Sequence, residues 1–378
     1  MSSSEAPSIL IAAASGRALA AAARRAGFRP LVADFFDDLD TRALAAANVV
    51  AAEMERGFEA PLLIDRLLHL AEGESPIGLV YGSGFEDRTE VLDEIARHFP
   101  LYGNRAEVVA RAKDPRLIAD HCRDLAIPHP EVRFDPPSDP GQWLIKRQGG
   151  GGGLHVQSAR LRAFEPGEYY QRRVGGAPVS VLLLADGRQS TLLGMSMQWA
   201  APSGDQHFRF GGAVQPARLD GASIRDLCDA AEKLAAAFGL VGLNSVDFLI
   251  AADAFHFLEI NPRPGATLDI FADRHGKLFT AHIESCRGHL PSEPLIFTRA
   301  HAAAIAYAPC DLAFMPDLDW PLWCMDRQKP GTRLRNGDPV CTVSAEAEEP
   351  EAARAILGER LAALRDYLMK FGNGESAA

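Results

Sequence analysis

Short apolar runs alternate with alanine-rich amphipathic stretches over the first hundred residues. Strands are predicted at 8–14, 30–34 and 77–81 with a fourth short strand near Leu101, and helices at 17–26, 41–55 and 60–72. Strands that alternate with helices are typical of a parallel sheet covered by helices. Ala14-Ser15-Gly16, after the first strand, lacks the Gly-x-Gly-x-x-Gly spacing, so a tight turn is favoured over a nucleotide loop.

The periodicity changes after a predicted helix at 106–125, which Ile127-Pro128-His129-Pro130 ends because proline disfavours helix in the residue before it. Short strands follow at 143–147, 169–174 and 179–185, then a helix at 224–238 that ends at Gly239. A strand-rich stretch beyond Glu293 precedes a last helix at 352–369. The pattern predicts a mixed α/β and α+β protein whose parts are 1–103, 104–175, 176–295 and 296–378.

Acidic side chains stand out in the apolar hairpin predicted at 242–250 and 255–263. A three-residue turn centred on Asp253 places Asp247 directly opposite Glu259, and alternation puts Asn261 on the face of Glu259. Like charges in opposite positions destabilise a sheet unless a cation lies between them. Two carboxylates and an amide suit magnesium that bridges phosphate oxygens, and Arg263 lies within reach of a phosphate or carboxylate.

A strand that ends in Lys146 runs into five consecutive glycines, which include Gly150, Gly151, Gly152 and Gly153. Glycines let the backbone approach an anion closely, and the preceding lysine adds a positive charge. The segment is not a Walker loop, because no Gly-Lys-Ser/Thr follows. A phosphate-covering loop is favoured over a flexible linker, because the glycines lie between two predicted strands.

Two further segments carry weaker signals. Gln171, Arg172 and Val174 could present backbone and side-chain groups to an adenine edge, although an ordinary hairpin has the same pattern. Arg209, between Phe208 and Phe210, fits substrate contact and plain packing equally well.

Composition restricts the class of protein. A chain of 378 residues, 47% apolar and 24% charged, suits two or three packed subdomains. The net charge of −11 argues against nucleic acid as a partner. No apolar run approaches the roughly 20 residues of a membrane helix, and the polar first residues show no export signal. We therefore expect a cytoplasmic protein with no membrane segment, in which the six scattered cysteines are reduced. The histidines, His155 included, are expected to be packing or surface residues and not catalysts.

Taken in order, Lys146 with its glycine loop, the segment 171–176 and the hairpin that closes with Glu259-Ile-Asn-Pro-Arg263 resemble the ATP-grasp superfamily over about residues 104–290. The resemblance implies an ATP-grasp fold preceded by a parallel αβ domain and followed by a small strand-rich segment. The parts 104–175 and 176–295 would then be its small and large lobes.

The same resemblance implies ATP with Mg²⁺, or Mn²⁺ as the alternative ion, and assigns residue roles. Lys146 and the glycines would bind the phosphates, and Gln171, Arg172 and Val174 would line the adenine pocket. Asp247, Glu259 and Asn261 would hold the metal. Arg263 would steady an acyl phosphate and, with Lys146, act in catalysis. The sequence departs from the family in having Gln171 where glutamate is common, and in the number of loop glycines.

Within the superfamily, the tail with Gly337-Asp-Pro-Val-Cys-Thr-Val343 resembles carboligases related to biotin carboxylase. That group resembles ligases of C1-carrier biosynthesis, such as tyramine-glutamate ligase, which join glutamate to an amine. The resemblance thus implies small-molecule carboxylate and amine substrates in the synthesis of a methanofuran-type or pterin-type cofactor, and a homodimer is common in such folds. Three alternatives stay open: carboxylation with bicarbonate, although no biotin-carrier signature is present; an ATP-binding regulatory protein; and a nicotinamide-dependent oxidoreductase, which lacks its glycine fingerprint.

Overall fold

The structure is a computed structural model that describes residues 6–52, 56–162, 164–251, 254–271, 273 and 275–372. Its N-terminal part is a parallel five-stranded sheet in the order β3-β2-β1-β4-β5. The strands are β1 Ser8–Ala12, β2 Arg29–Asp34, β3 Ala47–Val50, β4 Leu79–Tyr81 and β5 Leu101–Tyr102. The helices are α1 Arg17–Arg25, α2 Leu39–Leu44, α3 Ala60–Ala71 and α4 Glu90–His98. The predicted parallel αβ arrangement is confirmed.

Two predicted helices differ from the structure. The helix over 41–55 is wrong, because α2 ends at Leu44 and β3 follows as an edge strand beside β2; residues 53–55 lie outside the described range. The alanines of this stretch favour a helix, but the β-branched pair Val49 and Val50 favours a strand. The helix over 106–125 is divided into α5 Ala106–Ala112 and α6 Pro115–Asp124. Asp114 begins α6 by accepting the amide of Arg116 at 2.8 Å, ahead of a proline suited to the first turn.

A small antiparallel sheet follows in the order β6-β9-β7-β8. It contains β6 Val132–Arg133, β7 Trp143–Arg147, β8 Val156–Ser158 and β9 Glu168–Arg172. Trp143, Ile145 and Tyr170 form its core. This alternation leaves Lys146 and Gln171 on the other face of the sheet.

The third sheet is antiparallel and has eight strands in the order β14-β13-β10-β11-β12-β15-β17-β16. Its strands are β10 Ala177–Asp186, β11 Ser190–Ala200, β12 Phe210–Gln215, β13 Val241–Ala251, β14 Ala254–Asn261, β15 Ala300–Tyr307, β16 Cys324–Met325 and β17 Pro339–Ala347. Its helices are α7 Gly221–Phe238, α8 Lys277–Cys286 and α9 Pro350–Gly372. Strands from the predicted C-terminal segment extend this sheet, and the division at residue 295 stays a prediction.

Each face of the large sheet has its own core. Val181 and Leu183 pack with α7, whereas Leu182 and Leu184 pack with α8 and the N-terminal sheet. Ser180 shares the face of Leu182, since residues two apart on a strand point to the same side. This face looks toward the N-terminal part of the chain, and it carries the candidate site.

Helix α7 ends at Gly239, which adopts a left-handed conformation with φ +66°. A Cβ at this position would meet no clash, but the left-handed backbone costs alanine about 1 kcal/mol. Gly239→Ala is therefore expected to lower the free energy of unfolding by about that amount. Gly358, inside α9 with open space around it, is the matched control. Gly358→Ala is expected to stabilise by about 0.5–1 kcal/mol, and denaturant unfolding measures both. Equal effects of the two substitutions would contradict this.

His282 on α8 is buried and held neutral. Its Nδ1 accepts the Leu243 amide at 2.9 Å, and its Nε2 faces the Tyr102 carbonyl oxygen at 3.3 Å. Burial lowers the pKa of His282 to about 4. Below the ordinary histidine pKa, His282 binds a proton in the unfolded chain but stays neutral in the folded chain. The free energy of unfolding therefore decreases as pH falls from about 6.5 toward 4.

We expect wild type to lose roughly 2 kcal/mol more than His282→Gln between pH 7 and pH 5, because the glutamine does not titrate. Denaturant unfolding at the two pH values measures this difference. Identical pH dependence in the two proteins would show that His282 does not carry the effect.

Among the described helices, none combines the length and the apolar character that a membrane span requires.

Candidate active site

The acids of the hairpin face each other as predicted. Asp247 on β13 pairs with Glu259 on β14, and Ser245 pairs with Asn261. Residues 252 and 253, at which the sequence predicts the turn, lie outside the described range. Ala251 pairs with Ala254, and a β-bulge between Asp247 and Phe248 shifts the register by one residue. The bulge therefore brings the two acids opposite each other.

Neutral side chains orient Asp247. Its Oδ1 accepts the Ser180 hydroxyl at 2.5 Å and its Oδ2 accepts the Asn261 amide nitrogen at 2.9 Å. Ser180 lies directly opposite Asp247 on β10. Asn261 thus keeps its Oδ1 atom for another partner.

Two lysines face the acids. Lys113, between α5 and α6, places its Nζ 3.4 Å from both Glu259 Oε2 and Asn261 Oδ1. Lys146, at the end of β7, is 6% exposed, and its Nζ lies 3.4 Å from Gln171 Oε1. Two cations, two carboxylates and an amide therefore line one space between the small and large sheets.

The ionisation of these groups reflects their crowding. Burial raises the pKa of Asp247, and the adjacent Glu259 carboxylate raises it further. Burial acts in the same direction on Glu259, but Lys113 and Lys146 outweigh it and hold the pKa of Glu259 below its usual value. Burial lowers the pKa of Lys146, but Tyr169 and the two carboxylates exceed this effect and raise it. The site is therefore strongly polar and favours an added cation beside Asp247.

Arg263 is buried beside the hairpin and paired with a residue from the N-terminal part. Its Nε donates to Glu86 Oε1 at 2.7 Å, and Glu86 Oε2 accepts the amides of Gly84 and Phe85 at 2.9 and 3.1 Å. Arg263 also lowers the pKa values of Asp247 and Glu259, so it lies in their electrostatic range. The pair links the loop after β4 to the acid hairpin.

The glycine loop is held at its ends and open in its middle. A Cβ on Gly149 would lie 2.6 Å from the Glu86 carbonyl oxygen, and one on Gly153 would overlap the carbonyl group of Phe208. Apart from the adjacent residues of the chain, no described atom lies within 4 Å of such an atom on Gly151 or Gly152. The Gly152 carbonyl accepts the Phe210 amide at 2.9 Å. Gly150 packs against the ring of half-buried His155. A side chain at either end would therefore displace the loop.

The segment 171–174 is divided between two environments. Gln171 is buried and faces Lys146, whereas Arg172 is exposed and points to Glu131, with an Nη1–Oε2 distance of 3.9 Å. Val174 is half-buried. The structure thus brings Gln171 to the other candidate residues and leaves the Arg172 side chain away from them.

Arg209 serves packing in this structure. Its Nε donates to the Ala201 carbonyl at 2.9 Å, its Nη1 donates to the Gly337 carbonyl at 3.0 Å, and its guanidinium lies 3.6 Å from the centre of the Tyr307 ring. Those contacts connect the strand that supports the glycine loop to the C-terminal segment.

Sequence reasoning missed three residues of the site: Lys113, Glu86 and Ser180. Lys113 was hidden within one long predicted helix, although Asp114-Pro115 signals a new helix start. Glu86 follows the carboxyl end of a parallel strand, where sites commonly form. Ser180 is recognisable only from the register of β10 against β13.

The sequence profile of the ATP-grasp domain matches residues 112–267, a span that includes both lysines, the glycine loop and the acid hairpin. The chain contains an ATP-grasp domain. The carbamoyl phosphate synthase large chain of Thermus thermophilus is 23% identical to this chain over 241 residues, which cover 57% of this chain and 23% of the synthase chain. This chain therefore spans about a quarter of that relative.

Solved structures share the ATP-grasp fold over nearly the whole chain. A biotin carboxylase in complex with β,γ-ATP from Campylobacter jejuni superposes with a TM-score of 0.69 at 17% identity, covering 92% of this chain and 89% of the other. An ADP complex of N5-carboxyaminoimidazole synthetase from Staphylococcus aureus superposes with a TM-score of 0.68 at 13% identity, covering 94% and 97%. The predicted ATP-grasp fold is confirmed.

The donor set of the ATP-grasp domain fits a magnesium nucleotide. Within the described residues, His, Cys, Asp and Glu form no cluster of three or more that could hold a metal ion. The hairpin offers two carboxylates and the Oδ1 atom of Asn261. Mg²⁺ commonly takes few protein ligands and completes its shell with water and phosphate oxygens. Lys113, 3.4 Å from Glu259 and Asn261, shows that these oxygens already attract a cation.

Proposed function

We propose that the protein is an ADP-forming ligase that activates a small-molecule carboxylate as an acyl phosphate and transfers the acyl group to an amine. The observation that supports this most strongly is the pairing of Asp247 with Glu259 across from Lys113 and Lys146. Cations and metal-binding oxygens that line one space could stabilise the charge that develops during phosphoryl transfer, and this supports the proposal.

The roles that the ATP-grasp resemblance implies are proposed here for the candidate residues. Asp247, Glu259 and Asn261 would hold Mg²⁺, which when bound neutralises charge on the phosphate oxygens. Lys113 and Lys146 would bind the phosphates. The open glycines Gly151 and Gly152 would cover them, together with Gly150, which packs against His155, and Gly153, the fixed end of the loop. Gln171 and Val174 would contact adenine, with the backbone of Arg172 beside them.

Arg263 would hold the acyl phosphate for attack by the amine. Its buried pair with Glu86 fixes the guanidinium. No described residue accepts a hydrogen bond from Nη2, which would be the donor for substrate. In-line phosphoryl transfer needs positioning and charge stabilisation, so no protein nucleophile is required.

For the substrates we propose glutamate and a small amine, as in the assembly of a methanofuran-type or pterin-type C1 carrier. The second candidate is carboxylation with bicarbonate, because biotin carboxylase and N5-carboxyaminoimidazole synthetase share the fold over more than nine-tenths of this chain.

An ADP-release assay with Mg²⁺-ATP tests the proposal with three panels: amino acids plus amines, bicarbonate plus amines, and each component alone. The ligase proposal predicts release only with a carboxylate and an amine together, an amide product by mass spectrometry, and loss of both in Lys146→Met. Lys233→Met, an exposed lysine paired with Asp229 on α7, is the control. Release that requires bicarbonate would indicate carboxylation, and ATP binding without release in any panel would indicate a regulatory protein.

A further inference from the structure

A cleft of about 490 Å³ lies between the loop after β2 and the C-terminal segment that leads into β17. Phe35 and Phe36 line one side, and Lys329, Arg333 and Arg335 line the other. Rings and cations thus border one space in a protein whose net charge is −11.

The arginine side of the cleft is rigid. Leu312 and Leu334 exchange both backbone hydrogen bonds, at 2.8 and 3.0 Å, and Gly331 donates to the Met315 carbonyl at 2.8 Å. Leu334 is 5% exposed. Because alternate residues of an extended segment point to opposite sides, buried Leu334 directs Arg333 and Arg335 together to the outer side.

The surrounding acids do not neutralise the charges of Arg333 and Arg335. Lys329 donates to Asp37 Oδ2 at 2.8 Å, and Arg327 pairs with Asp40 at 2.7 Å. Asp338 lines the cleft too, but its Oδ2 accepts the backbone amide of Arg335 at 2.7 Å. In the described part of the chain, neither Arg333 nor Arg335 has a carboxylate partner for its side chain. Two guanidinium groups therefore remain for a ligand.

The arginine-bearing segment is tied to the candidate active site at both ends. At its start, Asp326 is bound by Arg17 Nη2 at 2.6 Å, and the same Arg17 binds Asp269, which follows the acid hairpin. At its end, Gly337 is bound by Arg209, whose neighbour Phe210 holds the glycine loop. The cleft is thus mechanically connected to both sides of the proposed ATP site.

We propose that this cleft binds the anionic end of a substrate, a carboxylate or phosphate that Arg333 and Arg335 hold while a planar part of the molecule lies on Phe36. A guanidinium group can donate two parallel hydrogen bonds to the oxygens of either a carboxylate or a phosphate, a bidentate arrangement. The assignment to a substrate rests on the proposed ligase function. The binding of an anion with a ring does not depend on it.

The test measures binding of phenyl phosphate, benzoate, inorganic phosphate and neutral benzyl alcohol to the full chain at fixed ionic strength, with and without saturating ADP. Calorimetry or ligand-observed NMR gives the dissociation constants. Wild type is compared with Arg333→Gln/Arg335→Gln. The charge-matched control is Arg188→Gln/Arg365→Gln, which removes two exposed arginines elsewhere. Circular dichroism confirms that wild type and every variant fold.

We expect saturable binding of both ring anions, weakened about tenfold or more in Arg333→Gln/Arg335→Gln and unchanged in the control. Phe36→Ala should weaken the ring anions and leave inorganic phosphate unaffected. The order of phenyl phosphate and benzoate identifies the preferred anion. Equal binding by wild type and the cleft variant, or equal loss in both arginine variants, would overturn the proposal. Because no turnover is measured, these outcomes are independent of the ADP-release result.

Discussion

Glu259→Gln is expected to lower ATP-dependent turnover by about a thousandfold or more, because a metal ion contributes several kcal/mol of charge stabilisation in phosphoryl transfer. Glutamine keeps the size of the side chain and its place opposite Asp247, but it removes the carboxylate that Lys113 and Lys146 face. Turnover is measured as ADP release at several Mg²⁺ concentrations. The loss should lessen as Mg²⁺ rises, since weakened ion binding is its cause.

The control is Glu94→Gln, which changes an exposed acid that pairs with Arg97 within α4. Its turnover should equal that of wild type. A Glu259→Gln protein that retains more than a tenth of wild-type activity at every Mg²⁺ concentration would remove Glu259 from the metal site.

Arg263→Met is expected to lower the free energy of unfolding by about 3–5 kcal/mol, because it leaves the Glu86 carboxylate buried without its partner. The two side chains are only 9% and 7% exposed, and their atoms approach to 2.7 Å. Glu86→Leu should lower the free energy of unfolding by a similar amount, since it leaves the Arg263 charge buried without a partner. Denaturant unfolding gives both values.

The double variant Glu86→Leu/Arg263→Met separates two contributions to the free energy of unfolding: the cost of burying one unpaired charge, and the net stabilisation from the ion pair. Replacing a buried ion pair by apolar side chains is often close to neutral, so the double variant should recover most of the stability and none of the activity. Arg97→Ala, in an exposed pair, should cost less than about 0.5 kcal/mol. Simple additivity of the two core substitutions would contradict a direct Glu86–Arg263 interaction.

Local patterns were enough for much of the fold. Alternating strands and helices predicted the parallel N-terminal sheet, and Gly239 marked the end of α7 because a left-handed residue there favours glycine. Pairing of Asp247 with Glu259 followed from counting residues around a turn. That count succeeded because the bulge beside Asp247 compensates the Ala251–Ala254 pairing.

Contacts between distant segments were not predictable from one sequence. Glu86 and Arg263 are 177 residues apart in the sequence, and local periodicity does not connect residues at such a separation. Lys113 lies 146 residues from Glu259. The strand β3 was missed because the alanines before it favour a helix, and its pairing with β2, which together with Val49 and Val50 makes it a strand, is a contact that local periodicity does not show.

The central claim is that the acid hairpin holds a divalent ion together with nucleotide phosphates. Electron paramagnetic resonance of Mn²⁺, titrated with and without a non-hydrolysable ATP analogue, tests it most directly in wild type, Asp247→Asn and Glu259→Gln. We predict tight Mn²⁺ binding to wild type that requires the nucleotide, and strongly weakened binding in both variants. Equal Mn²⁺ affinity in all three proteins, or binding to wild type that ignores the nucleotide, would contradict the account.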